Sequence, residues 1–264
     1  MYAQVSFFAG LSTLALLRLW AGKRGAIPLY TAAILGAGFS HYYGLFVPLA
    51  HGVAVLLSSR GQRVATGRWL RATVLSAVLY LPWIVVALPI FTSFSNGPAG
   101  SEDLPAVLLS SWARVAAGWS LEWPDALRTA EIITALAAFG ALVPARSKSD
   151  RFPRVVLVAW LLVPPAAGYA LSLVRPSLNE RYLIVSSLPL ILLVARGIAW
   201  WGAGRAPLQA AVGVAGLGVA LYVAIIPLQN VWAGKYLKSA YSVHTRTVAL
   251  LAHSTDAVIL DGYA

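Results

Sequence analysis

The sequence predicts an all-α, polytopic membrane protein of about eight crossings, and three observations carry that prediction. Apolar runs near the ~20 residues that span a bilayer recur along the chain. Charged residues make up only 11% of the 264 residues and hydrophobic ones 59%, whereas a soluble domain carries roughly a quarter charged residues. The gaps between runs also alternate in sign. Lys and Arg fill 21–25, 58–71, 144–154 and 200–205. Eight of the nine acidic residues fall elsewhere: Glu102, Asp103, Glu122, Asp125, Glu180, Asp256 and Asp261 in the other gaps, and Glu131 just inside a run. Only Asp150 sits among the basic gaps. Because Lys and Arg are retained on the cytoplasmic side, this alternation orients the chain as well as dividing it.

The crossings are read at 3–20, 27–41, 44–58, 72–90, 127–143, 155–174, 182–199 and 207–228. The first runs inward, since Lys23 and Arg24 follow it, and Met1 is expected outside. The second and third go out and return, delivering Arg60, Arg63, Arg68 and Arg71 to the cytoplasm. The fourth opens a long outer loop, 91–126, and the fifth leads to the inner loop with Arg146, Lys148, Arg151 and Arg154. The sixth and seventh flank a short outer loop, 175–181. The eighth follows a tight inner turn at Arg205 and ends outside. Residues 1–228 are thus the transmembrane domain, and 229–264 the beginning of a truncated extracytoplasmic domain whose end, from Thr255, reads as one apolar strand and a turn. A lone strand is not stable, and an outward N-terminus with nothing to direct it is unusual, so the chain is expected to be a fragment.

The second and third runs are only about 15 residues, or ~22 Å of helix, against a hydrocarbon core ~30 Å thick. Their junction, Ser40-His41-Tyr42-Tyr43-Gly44, is therefore expected below the outer surface. Polar groups at that depth are tolerated only in protein or facing a wet cavity, which predicts an outward-facing pocket floored by His41.

Composition excludes several classes. The formal net charge of +11 would suggest nucleic acid in a soluble chain, but about half the basic residues occupy the cytoplasmic gaps, where the membrane explains them. With no cysteine there is no disulfide or thiolate metal site. His51 and His253 are isolated and His244 lies in a basic tail segment; no His/Asp/Glu spacing suggests a metal cage, and no cofactor is implied. Gly213-Val-Ala-Gly216 follows no strand and so is not a phosphate loop; its small residues suit close helix packing. No signal peptide and no internal repeat is visible.

Three constellations could carry chemistry. A recessed His41 could bind phosphate or move a proton, with Tyr42 and Tyr43 stacking on sugar; an interfacial aromatic belt around a hydrogen-bonded His is the competing reading. Asn179-Glu180-Arg181-Tyr182, at the mouth of the seventh crossing with Arg175 nearby, offers guanidinium forks suited to phosphate, or an Arg snorkelling to the interface and paired with Glu180. The outer loop carries Trp112, Trp119 and Trp123 beside Glu102, Asp103, Glu122 and Asp125, a mixture that suits sugar binding and acid–base work and equally a solvated loop. Its segment 104–119 is expected to lie on the membrane as an amphipathic helix.

The opening Met1-Tyr2-Ala3, the junction Phe39-Ser-His-Tyr-Tyr-Gly-Leu-Phe46 and Glu180-Arg-Tyr-Leu-Ile…Pro189 together resemble bacterial membrane glycosyltransferases of the dolichyl-phosphate-mannose–protein mannosyltransferase family (glycosyltransferase family 39), which has the GT-C fold. The resemblance covers most of the chain through short motifs. It implies inverting transfer of a mannose-like hexose or a pentose from a polyprenyl-phosphate donor to an acceptor, not further specified, on the outer face of the cell membrane. It places His41 near the lipid phosphate and matches Arg181 and Tyr182 to the family's Arg-Tyr pair, with Arg175 a further phosphate contact. Tyr42, Tyr43, Tyr182 and Trp123 are then sugar or lipid contacts. It also puts the family's catalytic Asp upstream of the Met-Tyr-Ala stretch, so that Glu122 and Asp125 are left here as assisting carboxylates only. Two other readings stand beside this one: a transporter or flippase for a lipid-linked or small solute, which needs polar residues through the depth of several crossings, and a non-catalytic membrane subunit.

Overall fold

The computed structural model describes residues 2–93, 103–145, 147, 150–174, 178–179, 181–202 and 207–233. Among them are nine α-helices and no strand: α1 (Tyr2–Trp20), α2 (Ala26–Ser40), α3 (Phe46–Ser58), α4 (Arg63–Ser93), α5 (Leu104–Ala117), α6 (Trp123–Leu142), α7 (Arg151–Val174), α8 (Ser187–Gly202) and α9 (Pro207–Trp232). Short 3₁₀ turns, Tyr42–Leu45 and Tyr182–Ser186, lead into α3 and α8.

Five spans are long and apolar enough to cross a membrane: α1, α4 over Arg63–Pro89, α7, Tyr182–Gly202 and α9. Apolar but shorter are α2, Tyr42–Ser58 and α5. The expected crossing 127–143 lies inside α6, whose first three turns carry Asp125, Arg128 and Glu131. The helices overrun the predicted limits because backbone hydrogen bonding does not stop where the hydrocarbon does: α4 begins at Arg63, nine residues before the predicted start, since Arg and Ala favour helix wherever they lie. The expected strand after Thr255, together with Glu102, Arg175, Glu180, His244 and His253, lies outside the described residues.

Helices pack both on chain neighbours, α1 on α2, α5 on α6 and α8 on α9, and on distant ones, α3 on α7 and α6 on α8. Lipid tails are as apolar as a protein core, so such packing depends on close approach and on hydrogen bonds between helices. The closest approach is α6 against α8, where a Cβ at Gly140 would overlap the Leu193 carbonyl. By contrast α4 and α9 present broad apolar faces to the surroundings, including Trp83, Val85, Val214 and Trp232.

Two arginines of the basic gaps, Arg68 and Arg154, and Arg196 within α8 close helix ends. Arg68 Nη1 donates to the Leu19 carbonyl at 3.1 Å, at the end of α1. Arg154 Nη1 donates to Val143 O at 3.1 Å, and Arg196 donates to Gly140 O, Val143 O and Pro144 O at the end of α6. Each satisfies carbonyls that have no partner within their own helix and sets a cation at the negative end of its dipole.

His51, expected to be isolated, is instead the centre of the bundle's buried polar network. It is completely buried, with Nε2 3.0 Å from Thr13 Oγ1 and Nδ1 3.1 Å from the Tyr30 hydroxyl. Thr13 Oγ1 donates onward to Ala9 O at 2.9 Å, and Trp69 Nε1–H donates to the Tyr30 oxygen at 3.2 Å. Thr13 has one hydroxyl proton and gives it to Ala9 O, so His51 Nε2–H donates to Thr13 and Nδ1 accepts from the Tyr30 hydroxyl. The chain of bonds ties α1, α2, α3 and α4 together with every donor and acceptor used.

Candidate functional site

The predicted site begins where α2 stops. Ser40 Oγ donates back to Gly36 O at 2.6 Å, and His41 leaves the helix in an extended conformation, φ −165° and ψ 138°. Its N–H still reaches Ala37 O at 3.0 Å, while its Nδ1 accepts the Tyr43 N–H at 3.1 Å and starts the 3₁₀ turn. An Nδ1 that accepts leaves the proton of the neutral ring on Nε2. Gly44 lets the turn fold back on α2, because a Cβ there would overlap the Ala37 carbonyl. The two short helices are therefore joined by a tight, internally bonded turn.

That turn gathers a group of aromatic rings, one pair stacked and the others tilted or edge to face. His41 stacks on Tyr42 with centroids 4.8 Å apart and planes 19° from parallel. Tyr182 lies 4.6 Å from His41, 5.5 Å from Tyr42 and 5.1 Å from Tyr43. Tyr2, at the start of α1, closes the group 5.9 Å from His41. Tyr43 is fully buried and packs with Leu178 and Leu183. Separations of 4.5–7 Å with tilted planes are the favoured geometry for aromatic pairs.

Tyr182 is aimed by the turn before it. Asn179 Oδ1 accepts the Arg181 N–H at 3.0 Å and Asn179 O the Tyr182 N–H at 2.9 Å. The Arg181 side chain is exposed and its guanidinium carbon lies 5.3 Å from the centre of the Trp119 ring, within cation–π range. Trp119 comes from the turn between α5 and α6, which Gly118 makes possible at φ +84°, a conformation costly for residues with a Cβ. The turn is pinned to α9: Ser120 Oγ donates to Pro227 O at 2.7 Å, and Asn230 Nδ2 donates to Ser120 O at 2.8 Å.

The structure thus brings together His41, Tyr42, Tyr43 and Tyr182, with Arg181 adjoining through Tyr182. Of the other candidates among the described residues, it brings Trp123, Glu122 and Asp125 to none of them. Trp123 is exposed at the start of α6 and lines a shallow groove with Ala106, Val107, Leu109 and Ser110; Trp119 takes the place beside Arg181. Glu122 is exposed, and its carbonyl accepts the Ala126 N–H at 2.8 Å, opening α6. Asp125 faces Arg128 at 3.8 Å, both side chains well exposed. Of the segment 104–119 expected as a helix, residues 104–117 are helical and Gly118 ends the helix; its first turn is capped by Asp103 Oδ1, which accepts the Ala106 N–H.

The pocket expected above His41 is not open. The imidazole is only 8% exposed, because the tyrosines fill the space that short helices were expected to leave. The room lies alongside instead, in a groove of about 530 Å³ between α5 and α7, lined by Pro105, Leu108, Leu109, Trp112, Leu161, Leu162, Pro165 and Tyr169. Leu108 also packs against the Tyr43–Leu183 cluster, so groove and rings share a wall.

Two participants escaped the sequence reading. Tyr2 was visible only as part of a motif, and Arg114 not at all. Arg114 sits four residues before Gly118, where α5 must end, and that stop was the available signal that its side chain and Trp119 could meet.

No family model matches this chain, and no curated protein or solved structure matches it either.

Proposed function

We propose that this chain is the donor-binding region of a membrane glycosyltransferase, moving a mannose-like hexose or a pentose from a polyprenyl phosphate to an acceptor on the outer face. The observation that carries the reading is the convergence of His41, Tyr42 and Tyr182, with Arg181 next in the chain to Tyr182, at the helix ends opposite the basic gaps and beside an apolar groove. A lipid-linked sugar requires that combination: an apolar lane for the chain, cationic and N–H donors for the phosphate, and aromatic faces for the sugar. In this reading His41 Nε2–H, which has no partner among the described residues, and the Arg181 guanidinium take up negative charge on the phosphate as the glycosidic bond breaks. Tyr42 and Tyr182 form the wall against which the sugar rests. The family resemblance assigns the base that takes the acceptor's hydroxyl proton to no residue of this sequence. Glu122 and Asp125 remain candidate helpers, with no contact to the rings among the described residues.

The transporter reading is weaker on one specific point. A solute path needs polar groups free to meet the solute at depth, and the deepest polar network, around His51, is consumed by its own hydrogen bonds.

The test is sugar transfer from a labelled polyprenyl-phosphate sugar by membrane vesicles that contain the protein. Arg181→Gln is expected to lower transfer about 100-fold, the scale for removing one preorganised donor. Transfer at the parental rate in both Arg181→Gln and His41→Ala refutes the assignment.

A further inference from the structure

We propose that the ends of α1–α4 remote from His41 form a docking surface for the headgroups of anionic phospholipids in the leaflet around them, with phosphatidylglycerol as the simplest example.

The sequence supplies the charge. From Met1 to Ser101 there is no Asp or Glu, while the same stretch holds seven Lys and Arg. Arg18, Lys23 and Arg24 flank the end of α1, and Arg60, Arg63, Arg68 and Arg71 run from the turn after α3 into α4. Orientation in a membrane accounts for the cations but not for the missing carboxylates, because Asp and Glu count little toward it. The basic gap at 144–154 shows the difference, since it keeps Asp150.

The fold joins the two gaps. α4 packs on both α1 and α2, and Arg68 reaches from it to the turn between them. Its Nη1 donates to Leu19 O at 3.1 Å and would sit 2.8 Å from a Cβ at Gly22. Arg68 therefore lies against the turn that carries Lys23 and Arg24, with Arg71 three residues further along α4. Lys23, Arg24, Arg63 and Arg71 are exposed, and none of the seven cations has an ion pair among the described residues. Cations gathered in this way repel one another, and no carboxylate nearby in the sequence relieves them. Lipid phosphate does.

The surroundings select the kind of anion. Leu56, Leu57, Val64 and Leu70, from these same ends of α3 and α4, are exposed. A fitting occupant brings negative charge to the guanidiniums and an apolar body to the leucines. A phospholipid of the leaflet brings both, and clusters of about four to eight Lys and Arg beside a membrane-crossing helix are the usual footprint of anionic lipid. A nucleic acid or an acidic peptide brings the charge alone. The surface is separate from the ring cluster, because Arg24 and His41 lie at opposite ends of the 15-residue helix α2. It therefore stands or falls independently of sugar transfer.

The test is native mass spectrometry of the full chain, synthesised cell-free into detergent micelles so that membrane orientation plays no part. The probes are phosphatidylglycerol and phosphatidylcholine with the same acyl chains. Phosphatidylglycerol is expected to bind at least about tenfold more tightly, and Lys23→Gln/Arg24→Gln/Arg63→Gln/Arg71→Gln to remove most of that preference. Arg24→Lys/Arg63→Lys/Arg71→Lys should keep it, and Arg151→Gln in the other basic gap should leave it unchanged. Equal binding of the two lipids, or an undiminished preference in the fourfold Gln variant, overturns the proposal; a role in orientation alone gives the first of these results. Should the Gln variant fail to accumulate, salt decides with the parent chain. Its preference should fall between about 50 and 500 mM salt, since screening weakens exposed charge contacts, and a salt-independent preference overturns the proposal. An oligonucleotide or polyglutamate that displaces phosphatidylglycerol at equal charge overturns the choice of lipid as occupant.

Discussion

His41 and His51 stand at opposite ends of the same short stretch of chain, and their surroundings could hardly differ more. His51 has both ring nitrogens bonded to side chains from other helices, and those partners are themselves satisfied. His41 has one nitrogen held by the backbone of its own turn, aromatic rings around it, and an Nε2 with no partner among the described residues. A closed polar network inside a bundle fixes which helices meet, since breaking it strands groups that have no water to turn to. A ring held on one side only and set among aromatic faces has capacity left for a ligand. The difference separates a structural histidine from a candidate binding one without any appeal to residue type.

Four substitutions sharpen or break that contrast. The largest effect is expected for His51→Ala, which leaves Tyr30 and Thr13 without their shared partner and opens a cavity; a loss of about 3 kcal/mol is expected, read as a lower unfolding temperature in detergent, and an unchanged temperature would contradict the structural role. His41→Ala is expected to cost about 100-fold in sugar transfer while lowering stability by only about 1 kcal/mol. Were the two histidines to give the same pattern, the contrast would collapse. Tyr30→Phe removes the hydroxyl that links Trp69 to His51 and should destabilise by about 1 kcal/mol, the scale of hydrogen bonds between membrane helices, with no change in sugar transfer. Smallest is Trp69→Phe, at about 0.5 kcal/mol, because one donor is lost from the end of the network and every other bond remains.

Much of this was legible in the sequence because membranes impose coarse rules. The turn at His41 follows from two runs too short to cross, and the structure places α2 and α3 on either side of it. Arg181 and Tyr182 could be singled out as a pair because they sit at a helix mouth. The His51 network was hidden because its partners Thr13 and Tyr30 lie 38 and 21 residues away, a separation no local pattern reports. Trp119 and Trp123 look alike in sequence. What distinguishes them is the left-handed turn at Gly118, which brings Trp119 to Arg114 and Arg181 and leaves Trp123 on the surface. The open pocket over His41 was expected from helix length alone, and helix length says nothing of how far tyrosine rings reach.

The most direct measurement is binding of a radiolabelled polyprenyl-phosphate sugar to the reconstituted chain, comparing the parent sequence with His41→Ala/Arg181→Gln at a temperature where both are folded. Saturable binding that the double variant weakens at least about tenfold is the expected result. Binding of equal strength in the two proteins would contradict the assignment of this cluster as the donor site.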